Sequence, residues 1–524
     1  MSEIHHECGV AALYCVKLSE ESNVCTFHEL DDASRLMPRM LQDIQNRGQL
    51  AAGLTSYSVN RRQLLETHKE IGTVAEVFRL SHKAKSNSLM KQYAGQAAIG
   101  HVRYATCGAD DRNYAQPFER HHIQKSKWFS FAFNGQLANY QQLRDELLAE
   151  NENYLARETD TEIILHEISR VLSENKDATF LEIMRHINHR CDGAYTIAMI
   201  TAKGEMMVAR DPLGIKPMCY AFDGSIFAAA SENVALLNLG FEREQIMTLP
   251  PGHMATVIDG KVEVQSFAES NGTAHCFFEW IYFANVASSL DERSVYLTRK
   301  HLGEELAKLE EADPCFDWKD GNTVVVPVPD TSKAAADAMA FALGIPSVEG
   351  LIRNRYSGRT FIENTQEQRM QLAKAKYTPL REVLEGKRVI LVEDSIVRST
   401  TMKVLLGRIY EQGGAKEIHV RVACPPIVAP CFYGIDMSTL NELFAPRFLS
   451  DGEPDDSVHA TMASELHCDS LRYLPIASIA RAVGMDSSKL CQGCITGSYP
   501  TDAGQQLYNL AIDPASCGTG RTYE

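Results

Sequence analysis

Apolar residues alternate with small or polar ones in short runs through the first half of the chain: CGVAALY, QAAIGHVRYATCG, FSFAFNGQLANY, GAYTIAMITAKGEMMVARD and SIFAAASENVAL. A period of two, punctuated by Gly, Asn and Asp, predicts strands. TDTEIILHEISRVLSE instead spaces its apolar residues at helical intervals behind a Thr-Asp start. This half is predicted to be an α+β sheet protein. From Phe278 to Leu309 the chain reads largely as helix. Then come the strand NTVVVPVPD, an alanine-rich helix, the strand KRVILVEDSIV and another helix. Strand, loop and helix in repetition imply an α/β unit with a doubly wound parallel sheet. The acidic SDGEPDDSVHATM reads as a surface loop, and the tail beyond Tyr499 as a loosely packed terminus.

With 524 residues, 44% hydrophobic and 23% charged, the chain can build several cores. Its formal charge of -16 argues against a general polyanion-binding surface, so nucleic acid is not an expected partner. Phosphate chemistry must then rest on local pockets and metal ions. No apolar run approaches the roughly 18 residues of a membrane span, and a cytoplasmic protein is expected. The 14 cysteines are too sparse for a secreted disulfide scaffold, and most sit where free cysteine packs well.

Cys8 precedes a predicted strand, where a buried structural thiol is the ordinary reading. Were the first seven residues removed, its own α-amino group, with a pKa of about 8, would supply the base that a cysteine nucleophile needs. CGVAALY, NRGQLAAGL, GHVRYATCG, FNGQLANY, TDTE and ARDPLGIKPM occur in an order that resembles the N-terminal nucleophile glutamine amidotransferases. That resemblance implies a nucleophile at Cys8. Arg103 and Asp160 would hold the glutamine α-carboxylate and α-amino group, as complementary charges require. Asn134 and Gly135 would form the oxyanion hole. The chain has Asn46 where the family commonly has His, and NGQL where NGNL is commoner.

RVILVEDSIVRSTTM, from Arg388, places two acids at the end of an apolar strand and a small-residue loop before a helix. It resembles the phosphoribosyl pyrophosphate motif of type I phosphoribosyltransferases. Glu393 and Asp394 would bind the ribose hydroxyls or magnesium. Ser395, Arg398, Ser399, Thr400 and Thr401 would cradle the 5′-phosphate at the helix N-terminus. By the same likeness Thr331, in VPVPDTSK, adds a magnesium contact, and Arg355, Tyr356 and Arg359, in RNRYSGRTF, belong to a loop that closes over pyrophosphate.

Cys491 and Cys494 form a Cys-x-x-Cys pair, which by spacing alone allows zinc, iron-sulfur or redox chemistry. The whole chain resembles the iron-sulfur branch of the amidophosphoribosyltransferase family, which implies a 4Fe-4S cluster on Cys276, Cys431, Cys491 and Cys494, with zinc the chemical alternative. The resemblance further implies a propeptide at 1–7, a glutaminase domain at 8–265, a phosphoribosyltransferase domain at 266–450 and an extension at 451–524. Ammonia from glutamine would be channelled to phosphoribosyl pyrophosphate, giving 5-phosphoribosylamine, glutamate and pyrophosphate at the start of purine synthesis. Magnesium, a homotetramer and feedback inhibition by purine nucleotides are expected. VEDSIVRSTT sets the chain apart from glucosamine-6-phosphate synthase and asparagine synthetase. A different reading is a catalytically silent paralogue that binds nucleotides and regulates a true enzyme.

Overall fold

The computed structural model describes residues 8–104, 111–150, 154–269, 272–313, 317–354, 376–435, 437, 439–449 and 453–513. The first half holds two antiparallel sheets. One has seven strands in the order Ile246–Thr248, Cys219–Phe222, Ile226–Ala230, Gly9–Cys15, Ala97–Arg103, Ala51–Tyr57 and Leu65–Ile71. The other has six, in the order Lys261–Ser266, His253–Ile258, Met206–Arg210, Gly193–Thr201, Phe129–Leu137 and Phe118–Arg120.

Residue alternation explains why the sheets stack. Val10, Ala12 and Tyr14 face Ala132, Ala198 and Ile200 of the second sheet, whereas Ala11 and Leu13 turn outward to Met37, Met40 and Leu41. Phe129, Phe131 and Phe133 likewise turn outward, onto Ile164, Ile168 and Met184 of the helices Asp160–Glu174 and Phe180–Arg190. Strands buried on both faces thus give helix, sheet, sheet, helix in four layers.

The second half is built on a parallel sheet in the order Thr323–Pro327, Arg388–Glu393, Glu417–Val422 and Ser470–Tyr473. Helices Lys333–Leu343, Ser399–Glu411 and Asp456–Leu466 lie in the crossovers, the doubly wound arrangement that brings ligands to the carboxyl ends of strands. Val295–Glu311 packs so closely on Lys333–Leu343 that a Cβ at Gly303 would lie 2.0 Å from the carbonyl oxygen of Ala335.

Three expectations are corrected. Within the acidic segment read as a loop, Asp456–Leu466 is a helix, because Asp455 caps it by accepting from the Val458 N–H at 2.9 Å. Beyond Tyr499, Asp502–Ile512 is also a helix and packs Gly504 against Tyr433. Of the segment read as mostly helical, Glu279–Phe283 is a single buried π-helical turn and only Val295–Glu311 is a long helix. Among the described residues no helix is long and apolar enough to cross a membrane.

Candidate active site

Cys8 stands at the mouth of a cavity of about 550 Å³, which Arg103, Asn134, Gly135, Gln136 and Asp160 also line. Antiparallel pairing creates this meeting: Gly9 lies opposite Val102, which sets Cys8 beside the end of the Arg103 strand. The Cys8 thiol donates to the carbonyl of Tyr104 at 3.6 Å. Burial pushes the thiol above its usual range, against the opposing charges of Arg103 and Lys216. A protonated resting thiol needs a base to become a nucleophile.

Asn134 and Gly135 sit in Phe129–Leu137, opposite Thr196 and Tyr195. Asn134 is buried, and its Nδ2 has no hydrogen-bond partner among the described residues. A buried amide donor left unmade is costly, unless an acceptor arrives with the substrate. At Gly135 a Cβ would fall 1.9 Å from the carbonyl oxygen of Ala194, so only glycine fits. Arg103 is buried, with the Tyr114 ring 5.6 Å from its guanidinium. Asp160 opens its helix, and burial raises its carboxyl to about 6 in spite of hydrogen bonds from the Thr161 and Leu137 amides. A cation and an acid therefore flank the cavity, as an amino acid's two charged groups require.

In the second half Glu393 and Asp394 end a central strand and are buried. Burial raises both carboxyls, that of Glu393 to about 7, with Asp394 adding to the effect. The Thr331 hydroxyl donates to Asp394, and so does that of Ser395 at 2.7 Å. The first of these bonds brings together two loops that are more than 60 residues apart in sequence. Ser399, Thr400 and Thr401 form the first turn of Ser399–Glu411, whose leading amides point at the loop. Arg398 precedes that turn and pairs with Glu442 at 2.9 Å. Arg355, Tyr356 and Arg359 lie outside the described residues. The hairpin they would connect, Leu351–Arg353 with Tyr377–Pro379, is tied to the Thr331 loop: Arg353 pairs with Asp330 at 2.8 Å, and the Tyr377 hydroxyl donates to the Pro329 carbonyl at 3.2 Å.

Comparison with known proteins agrees with this geometry. A glutamine amidotransferase domain family matches residues 66–247. The amidophosphoribosyltransferase of Methanothermobacter thermautotrophicus is 36% identical over 500 residues, covering 95% of this chain and 96% of that one. The Bacillus subtilis amidophosphoribosyltransferase is 35% identical, covering 93% and 95%. A solved structure of the glutamine phosphoribosylpyrophosphate amidotransferase from B. subtilis, complexed with ADP and GMP, superposes with a TM-score of 0.77 at 32% identity, covering 95% and 98%. The chain belongs to the amidophosphoribosyltransferase family.

Cys276, Cys431, Cys491 and Cys494 are all buried. Cys276 and Cys491 are register partners in a parallel pair of two-residue strands. Cys431 accepts the Tyr433 N–H at 3.4 Å. Burial raises the Cys494 thiol well above its usual range, and Cys431, Cys276, Cys491 and Cys424 each add to the rise. The thiols thus share one neighbourhood. Among the described residues no three His, Cys, Asp or Glu side chains are arranged around a single metal ion. Four cysteine thiols are a donor set that either an iron-sulfur cluster or zinc can use.

Several residues of the site carried no assigned role in the sequence. Arg47 donates to the Cys8 carbonyl at 3.2 Å, Lys216 is fully buried near Cys8, and Gly434 lines the Cys8 cavity from the second half. Arg299 donates to the carbonyls of Trp280, Tyr282 and Ala284. Burial lowers its guanidinium to about 10, although Asp394 and Glu232 oppose the change. NRGQ, GIKP and CFYGID were visible as motifs, but their partners lie far off in sequence, from 39 residues for Arg47 and Cys8 to 298 for Gly434 and Gln136.

Proposed function

We infer that the protein hydrolyses glutamine at Cys8 and channels the ammonia to phosphoribosyl pyrophosphate, giving 5-phosphoribosylamine, glutamate and pyrophosphate, the first step of purine synthesis. The observation that carries this is the Cys8 cavity, where a thiol, an orphaned buried amide donor, an arginine and an aspartate converge, in a chain that also carries the Glu393–Asp394 strand end.

Cys8 attacks the glutamine side-chain carbonyl, and its proton passes to a base and then to the departing ammonia. With residues 1–7 removed, that base is the Cys8 α-amine. The tetrahedral oxyanion accepts from Asn134 Nδ2 and the Gly135 N–H. Water then cleaves the thioester, restoring the thiol and releasing glutamate. Ammonia attacks C1 of the ribose as the bond to pyrophosphate breaks. Asp394, oriented by Thr331 and Ser395, accepts from the ribose hydroxyls, and the first turn of Ser399–Glu411 holds the 5′-phosphate. Arg398 and the Arg355, Tyr356 and Arg359 loop would neutralise and cover the phosphates, excluding water.

Thr331, Glu393 and Asp394 would hold magnesium, which when bound offsets charge on the departing pyrophosphate. Cys276, Cys431, Cys491 and Cys494 would hold a 4Fe-4S cluster. Both half-reactions are redox-neutral, so the cluster's role is structural or oxygen-sensing. The relative solved with ADP and GMP supports control by purine nucleotides. A cytoplasmic homotetramer completes the proposal. The test is to supply glutamine and phosphoribosyl pyrophosphate and follow glutamate and pyrophosphate together. Equal release of both supports the assignment; glutamate without pyrophosphate, or neither, overturns it.

A further inference from the structure

Gln136 follows the oxyanion-hole pair in the same strand, and its side chain leaves the glutaminase half. Its Oε1 accepts the backbone N–H of Gly434 at 2.9 Å, across 298 residues of sequence. Gly434 lies against the same peptide: a Cβ there would come within 3.1 Å of the Gly135 carbonyl carbon and 3.1 Å of Lys216 Nζ, at a φ of +95°.

The turn bearing Gly434 is itself held on its far side. Cys431 Sγ accepts the Tyr433 N–H at 3.4 Å, and the Tyr433 hydroxyl shares a hydrogen bond with Thr501 at 3.0 Å. Gly504 of the last described helix abuts that hydroxyl so closely that its Cβ would lie 2.1 Å away. At the other end of the strand segment, Gln116 accepts from the Phe133 N–H at 2.7 Å and donates to the Phe133 carbonyl at 3.1 Å. Asn134 and Gly135 are therefore pinned on both flanks, by Gln116 within the glutaminase half and by Gly434 from the other half.

We propose that Gln136 is a positioning residue, which fixes the oxyanion hole by tethering its strand to the Cys431–Gly434 turn. Hydrogen-bond donors aimed at developing charge act through placement, and displacement by even an ångström is costly. The turn thereby contributes to glutamine hydrolysis without touching the reacting atoms. This rests on the reading of Asn134 and Gly135 as the oxyanion hole.

The test compares the full-length wild-type protein with Gln136→Met, which keeps length and loses the acceptor, and with Gly434→Ala, which crowds the turn. Glutamine hydrolysis should lose about tenfold or more in kcat, with KM for glutamine changed less than about twofold. Ammonia-dependent synthesis in the other domain should be unchanged, which also reports that the variants fold. Affinity for an aldehyde analogue of glutamine, whose hemithioacetal oxygen occupies the hole, should fall by the same factor, while affinity for glutamate should not. The double variant should lose no more than the worse single one. Wild-type-like hydrolysis in Gln136→Met overturns the proposal, and so does a rise in KM alone, which would make Gln136 a substrate contact. A wild-type protein that fails to hydrolyse glutamine would instead overturn the functional assignment.

Discussion

Arg47 donates through Nε to the backbone carbonyl of Cys8 at 3.2 Å while its other nitrogens pair with two buried carboxylates, Glu232 at 3.0 Å and Glu279 at 2.5 Å. The Cys8 backbone is thus braced by a residue whose counter-ions come from elsewhere in the first half and from the turn that opens the second. Asn46 adds hydrogen bonds to Glu232 at 2.7 Å and to the Phe283 carbonyl at 2.9 Å.

Removing the cation should therefore cost more than one contact. Arg47→Met strands two carboxylates in the interior, and breaking a buried pair of this kind costs about 3–5 kcal/mol. Urea denaturation should show that loss. Adding Glu232→Gln and Glu279→Gln should recover much of it; a loss below about 1 kcal/mol in the single variant would contradict the role.

The orphaned amide of Asn134 makes a kinetic prediction. Asn134→Ala should lower kcat for glutamine hydrolysis by about 10²–10³-fold with little change in KM, because the donor bonds to an oxygen that becomes charged only in the transition state. Steady-state glutaminase assays check the split. Loss confined to KM would place the amide on ground-state glutamine.

Asp160 should give glutamine binding a pH dependence. Its carboxyl titrates near 6 because burial raises it, so it is charged above that pH and neutral below. Glutamine affinity in Cys8→Ala, measured by calorimetry, should weaken as pH falls through about 6. Asp160→Asn should bind weakly throughout and lack that step. An unchanged step in Asp160→Asn would assign the titration to another group.

Asp394 tests the other half-reaction. Asp394→Asn should reduce synthesis from glutamine and from ammonia alike, by at least about tenfold, as expected for loss of charged hydrogen bonds. Chelation of divalent cations should stop synthesis from both nitrogen sources. Synthesis from ammonia that survives Asp394→Asn would displace the ribose from this strand end.

Much of this architecture is legible in the sequence because alternation controls it. Val10 and Ala11 face opposite layers, and the run GVAALY encodes both. The acids of VEDS fall where a parallel strand must end. What escaped has physical reasons. Asp455 looks like one acid among several until its carboxylate is seen capping a helix. The helix Asp502–Ile512 fully buries only Gly504 and sets Leu507 and Tyr508 partly buried against the core, so its packing does not show as a continuous apolar run. Arg47 and Gln136 owe their roles to partners at Glu279 and Gly434, and no local period reports a contact over such separations.

The most direct test of two sites joined by ammonia is Cys8→Ala assayed for phosphoribosylamine synthesis with glutamine and, separately, with ammonium chloride. Glutamine-dependent synthesis should vanish while ammonia-dependent synthesis persists. Parallel loss of both activities in a folded variant, or glutamine use without the thiol, would contradict it.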